Sequence, residues 1–217
     1  RREERVVSWL GDRLYVPSTI ISVEEEGKIY RLMERIRGKD LSSPSFLENP
    51  ERLLDLCAEA YEKLSNVDIS DCPSCRSLDF CLKEAEERVE KNLVDVEDTD
   101  PSTFGKGGFS SPEKLLEWLM DNKPKEEKSF IHGDFCLPNI ILGENGDIGF
   151  IDLGRSGVGD KYNDIALLSR SLKSNFSGHY NGGKQYPGYR EEMLYERLGI
   201  RKDEEKVRYY LLLDELF

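Results

Sequence analysis

His132-Gly133-Asp134-Phe135-Cys136-Leu137-Pro138-Asn139 and, a short segment later, Phe150-Ile151-Asp152-Leu153-Gly154 hold the residue types best suited to chemistry. Asp134 and Asn139 have the D-x-x-x-x-N spacing of a phosphoryl-transfer loop, and Asp152 stands where a metal-binding Asp follows such a loop. A carboxylate beside an attacking hydroxyl orients it and accepts its proton. A neutral amide oxygen and a second carboxylate are hard oxygen ligands, which suit Mg²⁺ bridging phosphate oxygens. Phosphoryl transfer is largely positioning and charge neutralisation, so few side chains suffice.

Those residues need elements to hold them. Ile140–Leu142 and Ile148–Leu153 are short apolar runs with Asn145-Gly146 between them, a hairpin signal that brings Asn139 and Asp152 together. Ser129–Ile131 is a further strand-like run upstream. Residues 2–13 read as an amphipathic helix, ended by Val16-Pro17. Thr19–Val23 and Lys28–Met33, joined through Glu25-Glu26-Gly27, predict a second hairpin. Ile36–Ser45 reads as a polar linker, and Asp98–Gly108 as a loop. Helices are expected at 50–64, 78–93, 111–120, 161–173, 188–198 and 203–216, with Pro112 at a first helical position. A small β piece followed by mostly helix with one embedded hairpin is an α+β arrangement, not a repeated βαβ pattern.

The 217 residues carry 43 acidic against 31 basic side chains, a net charge of −12. That balance argues against nucleic acid and anionic membranes, whose partners present Lys/Arg surfaces, and is compatible with a cationic ligand. No apolar run approaches the ~20 residues of a membrane span. Five cysteines without a repeating framework favour reduced thiols and a cytoplasmic location.

HGDFCLPNI, GFIDLGRSGVGDKYNDIALLSRSL, VDISDCPSCRSLD and the terminal YYLLLDELF resemble the aminoglycoside 3′-phosphotransferases, antibiotic-resistance kinases with a protein-kinase-like fold. The resemblance runs over nearly the whole chain and is tightest after residue 129. It implies a mostly helical C-terminal lobe (37–217) that carries catalysis and substrate binding, and a remnant of the ATP-binding lobe (1–36) made of helix, hairpin and hinge. It implies Asp134 as catalytic residue, and Asn139 and Asp152 as Mg²⁺ ligands. Glu3 matches the Glu that pairs with a phosphate-holding strand lysine. Met33, Glu34 and Ile36 match the hinge that meets the nucleotide base, the latter two through backbone groups. Asp214, Glu215 and the carboxylate of Phe217 match the group that grips drug amines. Arg155 and Arg170 match motif arginines expected at the substrate site, where they would order nearby carboxylates. The implied cofactors are ATP, with GTP left open, and Mg²⁺. The implied partner is a cationic aminoglycoside, and no obligate protein partner is evident.

The family's first strands, nucleotide loop and strand lysine would precede Arg1. A chain without them is expected to be nearly inactive by itself, able at most to bind drug or Mg²⁺. A kinase of another small hydroxylated metabolite on the same fold is the other reading. Residues 84–100 hold eight acids and two bases, half of the net charge. They read either as a solvated helix face or as an acidic lid over a polyamine, with Asp98 and Asp100 as its candidates. Cys72-Pro73-Ser74-Cys75 with Cys81 and His132 makes a poor zinc set, and Gly105-Lys106-Gly107-Gly108 is not a phosphate-binding loop of the G-x-x-x-x-G-K-[ST] type.

Overall fold

The computed structural model describes residues 2–217. The chain opens with α1 (Arg2–Leu10), whose Val6, Val7 and Leu10 are buried, and continues into a hairpin of β1 (Thr19–Glu25) and β2 (Lys28–Met33). Glu26 and Gly27 turn it with φ of 50° and 74°, the left-handed pair of a tight hairpin turn. Both strands are solvent-exposed along much of their length, Ile20, Tyr30 and Leu32 most of all.

The segment expected as a linker at 36–45 is ordered. β3 (Gly38–Asp40) pairs antiparallel with β5 (Ile140–Gly143), which pairs in turn with β6 (Ile148–Phe150), and α2 (Pro44–Leu47) follows. The linker reading failed because Gly38 and Lys39 carry no apolar alternation; the strand is made by its partner β5. Asn145-Gly146 turns the β5–β6 hairpin as expected, with Gly146 at φ 89°. Tyr15 reaches the same sheet, its carbonyl accepting from Phe150 N at 2.9 Å.

Six longer helices and one short turn surround this centre. α3 (Pro50–Ser65) starts at an Asn49 cap, and α4 (Leu78–Glu90) at a Ser77 cap, ending three residues before the expected boundary. α5 (Pro101–Phe104) is a single turn inside the expected loop, and α6 (Pro112–Asp121) begins at Pro112. α7 (Lys161–Ser177) is the central helix, followed by α8 (Glu191–Leu198) and α9 (Glu204–Asp214).

A third strand pair went unforeseen. β4 (Lys128–Ile131) pairs with β7 (Gly157–Asp160). β7 has two glycines in four residues and no apolar periodicity. Its glycines allow Ser74–Arg76 to cross close above it: a Cβ on Gly157 would meet Ser74 O at 2.6 Å, and one on Gly159 would meet Arg76 O at 2.7 Å. Arg76 N donates to Val158 O at 2.8 Å, and Val158 N donates to Ser74 O at 2.9 Å. This is where the Cys72-x-x-Cys75 turn goes. Both thiols are free, and no cluster of three or more His, Cys, Asp or Glu able to hold a metal occurs among the described residues.

Two apolar clusters share α7 between them. One joins α1 to α3, Phe130, Phe135, Phe150 and Leu168. The other joins α4, α6 and α9 to Ile165 and Ala166. A buried polar link ties α7 to α9: Asp160 caps α7, receives Tyr210 OH at 2.9 Å and meets Lys206 Nζ at 3.3 Å. No helix among the described residues is long and apolar enough to cross a membrane.

Candidate active site

The 132–139 loop leaves β4 and is fixed at three points. Asp164 of α7, 2% exposed, accepts from His132 N at 2.6 Å and from Gly133 N at 2.9 Å. Burial pushes its carboxyl up to about 7 against the pull of those two amides. Ser171, two turns further along α7, accepts from Leu137 N at 3.0 Å. The third point is His132 itself. Its ring is fully buried, burial pushes it down to about 4, and the neutral ring places Nε2 2.9 Å from Ile151 O and Nδ1 3.3 Å from Asp134 N. With the proton on Nε2, both contacts are satisfied. His132 therefore couples the loop to the segment after β6 that carries Asp152.

Gly133 sits at φ 84° with its α-carbon against the Arg155 carbonyl, so a Cβ there would collide with main chain. Asp134 follows, half-buried. Asn139 Nδ2 donates to both Asp134 O and Asp134 Oδ2 at 2.9 Å. The amide nitrogen is thus committed to Asp134, and the amide oxygen is the end left to meet a cation. Asp152 holds a positive φ of 57°, uncommon for Asp, which turns its carboxylate outward beside this pair. Desolvation pushes the Asp152 carboxyl up, and Asp134 and Glu3 push it further, with Arg155 opposing. A cation held by Asn139 and Asp152 would relieve that repulsion. Two protein ligands, one amide oxygen and one carboxylate, suit a hard divalent ion completed by phosphate oxygens rather than a closed metal cage. Cys136 in the loop is inert: burial, with Asp134 adding, pushes its thiol up to about 12.

Glu3 of α1 points toward this group and is ion-paired to Arg31 of β2. Met33 ends β2 half-buried, and Ile36 is buried. Glu34 N donates to Ser18 O at 2.9 Å, so the Glu34 backbone group left for the expected base contact is its carbonyl.

The chain end forms a second group. Asp214 receives Arg155 Nη1 on Oδ1 at 3.0 Å and Arg170 Nη2 on Oδ2. Arg170 Nη1 also reaches Glu215 Oε1 at 3.3 Å. Arg155 lies over the Phe217 ring, its guanidinium carbon 4.6 Å from the centroid. The two arginines therefore order the two acids. Asp100 is brought here through its backbone, donating to Glu215 Oε2 at 2.9 Å, while its side chain caps α5 at Ser102. Asp98 is exposed, and its backbone amide turns back to Asp95 O. The acids of 84–100 do not act as one face. Glu84 is ion-paired to Arg2 and Arg76, Glu87 to Lys91. A cleft of about 330 Å³ beside Phe217 is lined by Arg2, Arg76, Arg88 and Arg155 as well as Glu84 and Glu87.

Residues 1–194 match the phosphotransferase enzyme family. The chain belongs to the aminoglycoside phosphotransferases. It is 37% identical to an aminoglycoside 3′-phosphotransferase of Niallia circulans over 218 residues, covering all of this chain and 78% of that one. The Enterococcus faecalis aminoglycoside 3′-phosphotransferase is also 37% identical, with the same coverage. Among solved structures, an aminoglycoside-3′-phosphotransferase of type VIII superposes with a TM-score of 0.82 at 28% identity, over all of this chain and 79% of that one. An aminoglycoside phosphotransferase from Streptomyces rimosus, solved with ADP and streptomycin, gives 0.82 at 26%, over 99% and 80%. A choline/ethanolamine kinase family protein at 16% identity and TM-score 0.60 shares the fold.

Asp164, Ser171 and Arg88 were not singled out in the sequence. Asp164 and Ser171 had a readable signal: polar residues seven apart on the apolar face of a helix point to a buried task. Arg88 had none.

Proposed function

We propose that this protein transfers the γ-phosphoryl group of ATP to the 3′-hydroxyl of aminoglycoside antibiotics, a resistance activity located in the cytoplasm. The observation that carries the reading is the pairing of Asp134 and Asn139 beside Asp152, with an arginine-ordered pair of carboxylates at the chain end. Asp134 has one oxygen held by Asn139. Its other oxygen orients the substrate hydroxyl and takes its proton as the O–P bond forms. Asn139 and Asp152 would hold Mg²⁺, which when bound neutralises charge on the phosphate oxygens. Asp214 and Glu215 receive drug ammonium groups. Residues 1–36 contribute the nucleotide side of the site and 37–217 the catalytic and substrate side.

The test is a coupled kinase assay with kanamycin and MgATP on the intact parent enzyme and its Asp134→Ala variant. The variant is expected to lose at least ~10²-fold in kcat with kanamycin affinity by calorimetry unchanged. Near-wild-type turnover in the variant would overturn the assignment. Choline run in parallel tests the alternative of a different hydroxylated substrate. Clear multiple turnover by the 217-residue chain alone would refute the expectation that it is nearly inactive by itself.

A further inference from the structure

α4 carries one arginine, Arg88, that reaches the chain end without touching the Asp214 or Glu215 side chain. Arg88 Nε donates to Leu216 O at 2.8 Å, and Nη2 donates to Phe217 O at 2.7 Å and to Leu93 O at 2.9 Å. Its guanidinium carbon also lies 5.8 Å from the Phe217 ring centroid. Phe217 thus has Arg88 against it as well as Arg155, and Leu216 beneath it is fully buried. The contacts span 128 and 129 positions in sequence, so nothing local imposes them.

We propose that Arg88 is a positioning residue for the substrate site: it locks the last turn of the chain onto α4 and so fixes where Asp214 and Glu215 stand. The proposal rests on the reading of those two acids as the amine-binding pair. Arg155 and Arg170 set the side-chain directions of the two acids, but neither holds the backbone beyond residue 214. Arg88 does, through Leu216 O and the terminal carboxylate of Phe217, and it takes no lone pair from the side-chain carboxylates of Asp214 and Glu215. A guanidinium suits the task because its planar fork reaches three oxygens at once, which an ammonium on a flexible stem does not. Ordering the chain end before binding removes an entropic cost that the ligand would otherwise meet.

The experiment compares wild type, Arg88→Gln, Arg88→Lys and Lys83→Gln, the last an equal charge change at an exposed position of the same helix. KM and kcat are measured for kanamycin and for ATP, and hydrogen–deuterium exchange is followed in the peptide covering 211–217. Arg88→Gln should raise the kanamycin KM about 10- to 100-fold, leave kcat and the ATP KM within twofold, and speed exchange at 211–217. Arg88→Lys should fall between the two, and Lys83→Gln should match wild type. An unchanged kanamycin KM in Arg88→Gln overturns the proposal. So does a matched loss across kcat and both KM values, which would mark a general structural role. If the intact wild-type enzyme, in which all these variants are made, phosphorylates no aminoglycoside, the substrate reading fails separately. Exchange at 211–217 then decides the positioning claim: faster in Arg88→Gln supports it, unchanged overturns it.

Discussion

Asp164→Asn is the perturbation that most directly tests how the catalytic loop is held. The wild-type carboxylate accepts two amides, from His132 and Gly133, inside a fully buried site. An Asn offers one carbonyl oxygen to one amide and sets its own NH₂ against the other. The variant loses one charge-assisted bond, worth about 1.5–3 kcal/mol, and strands a buried donor at about 1–3 kcal/mol. Removing a buried charge offsets part of this, since burial pushes the carboxyl up to about 7 despite both bonds. A net destabilisation of about 1–3 kcal/mol follows, or roughly 2–12 °C in Tm for a chain of this size. The pH dependence is more diagnostic. With a folded-state value near 7 and an ordinary unfolded-state value, the folded chain binds the extra proton between about 4 and 7. The stability owed to this group is therefore full at the acid end and is lost as pH rises through 7. Activity runs the other way, because only the ionised form accepts both amides. In wild type kcat/KM should climb to a plateau above about pH 7. In Asp164→Asn the limb should vanish and kcat should fall about 10²-fold, the scale of a misplacement near 1 Å. Thermal melts at pH 5 and 8 and a pH–rate profile read both effects. An acid limb that persists unchanged in the variant would refute the assignment of that limb to Asp164, and a kcat within threefold of wild type would refute the anchoring role.

Two further outcomes follow from the same geometry. Asp152→Asn removes a partly desolvated carboxylate that Asp134 and Glu3 repel, so its Tm should equal or exceed that of wild type while kcat falls by at least ~10³-fold, and added MgATP should raise the Tm of wild type but not of the variant. Lys206→Met takes the cation from the fully buried Asp160 carboxylate and should cost about 3–5 kcal/mol in urea unfolding, with Lys206→Met/Asp160→Asn recovering part of the loss.

What was legible in the sequence divides along a physical line. Asp134, Asn139 and Asp152 are chosen by chemistry that tolerates few residue types, and Asn145-Gly146 by a turn that demands left-handed backbone, so both stand out in one dimension. β7 exists because two glycines let Ser74–Arg76 cross above it, a condition set by a segment more than 80 residues away and invisible in local periodicity. β3 likewise owes its strand to β5. A charge count along residues 84–100 cannot show pairing, which distant side chains decide: Glu84 is ion-paired to Arg2 and Arg76, and Arg88 donates to Leu216 O and Phe217 O.

Arginine pairing at the chain end changes what net charge means for this protein. A carboxylate has about four lone-pair sites, and Asp214 gives one from each oxygen to Arg155 and Arg170, so acceptor capacity remains on both. A freely rotating Asp in water would attract an ammonium group over a wide cone and hold it weakly. Here Asp214 is fixed by an arginine on each oxygen, and Glu215 by Arg170 on one oxygen and the Asp100 amide on the other, so on the proposed reading an incoming amine meets a preset remaining lone pair. The local field is weaker than the −12 total suggests, and its geometry is sharper. Long-range attraction from the acidic surface governs encounter and fades with salt, while the ordered pair governs pose and resists it. Raising ionic strength from 0.05 to 0.5 M should therefore depress kcat/KM for a polycationic substrate through association while leaving kcat within twofold. A kcat that fell in step with kcat/KM would mean that the surface charge, not the arginine-ordered pair, sets the productive pose.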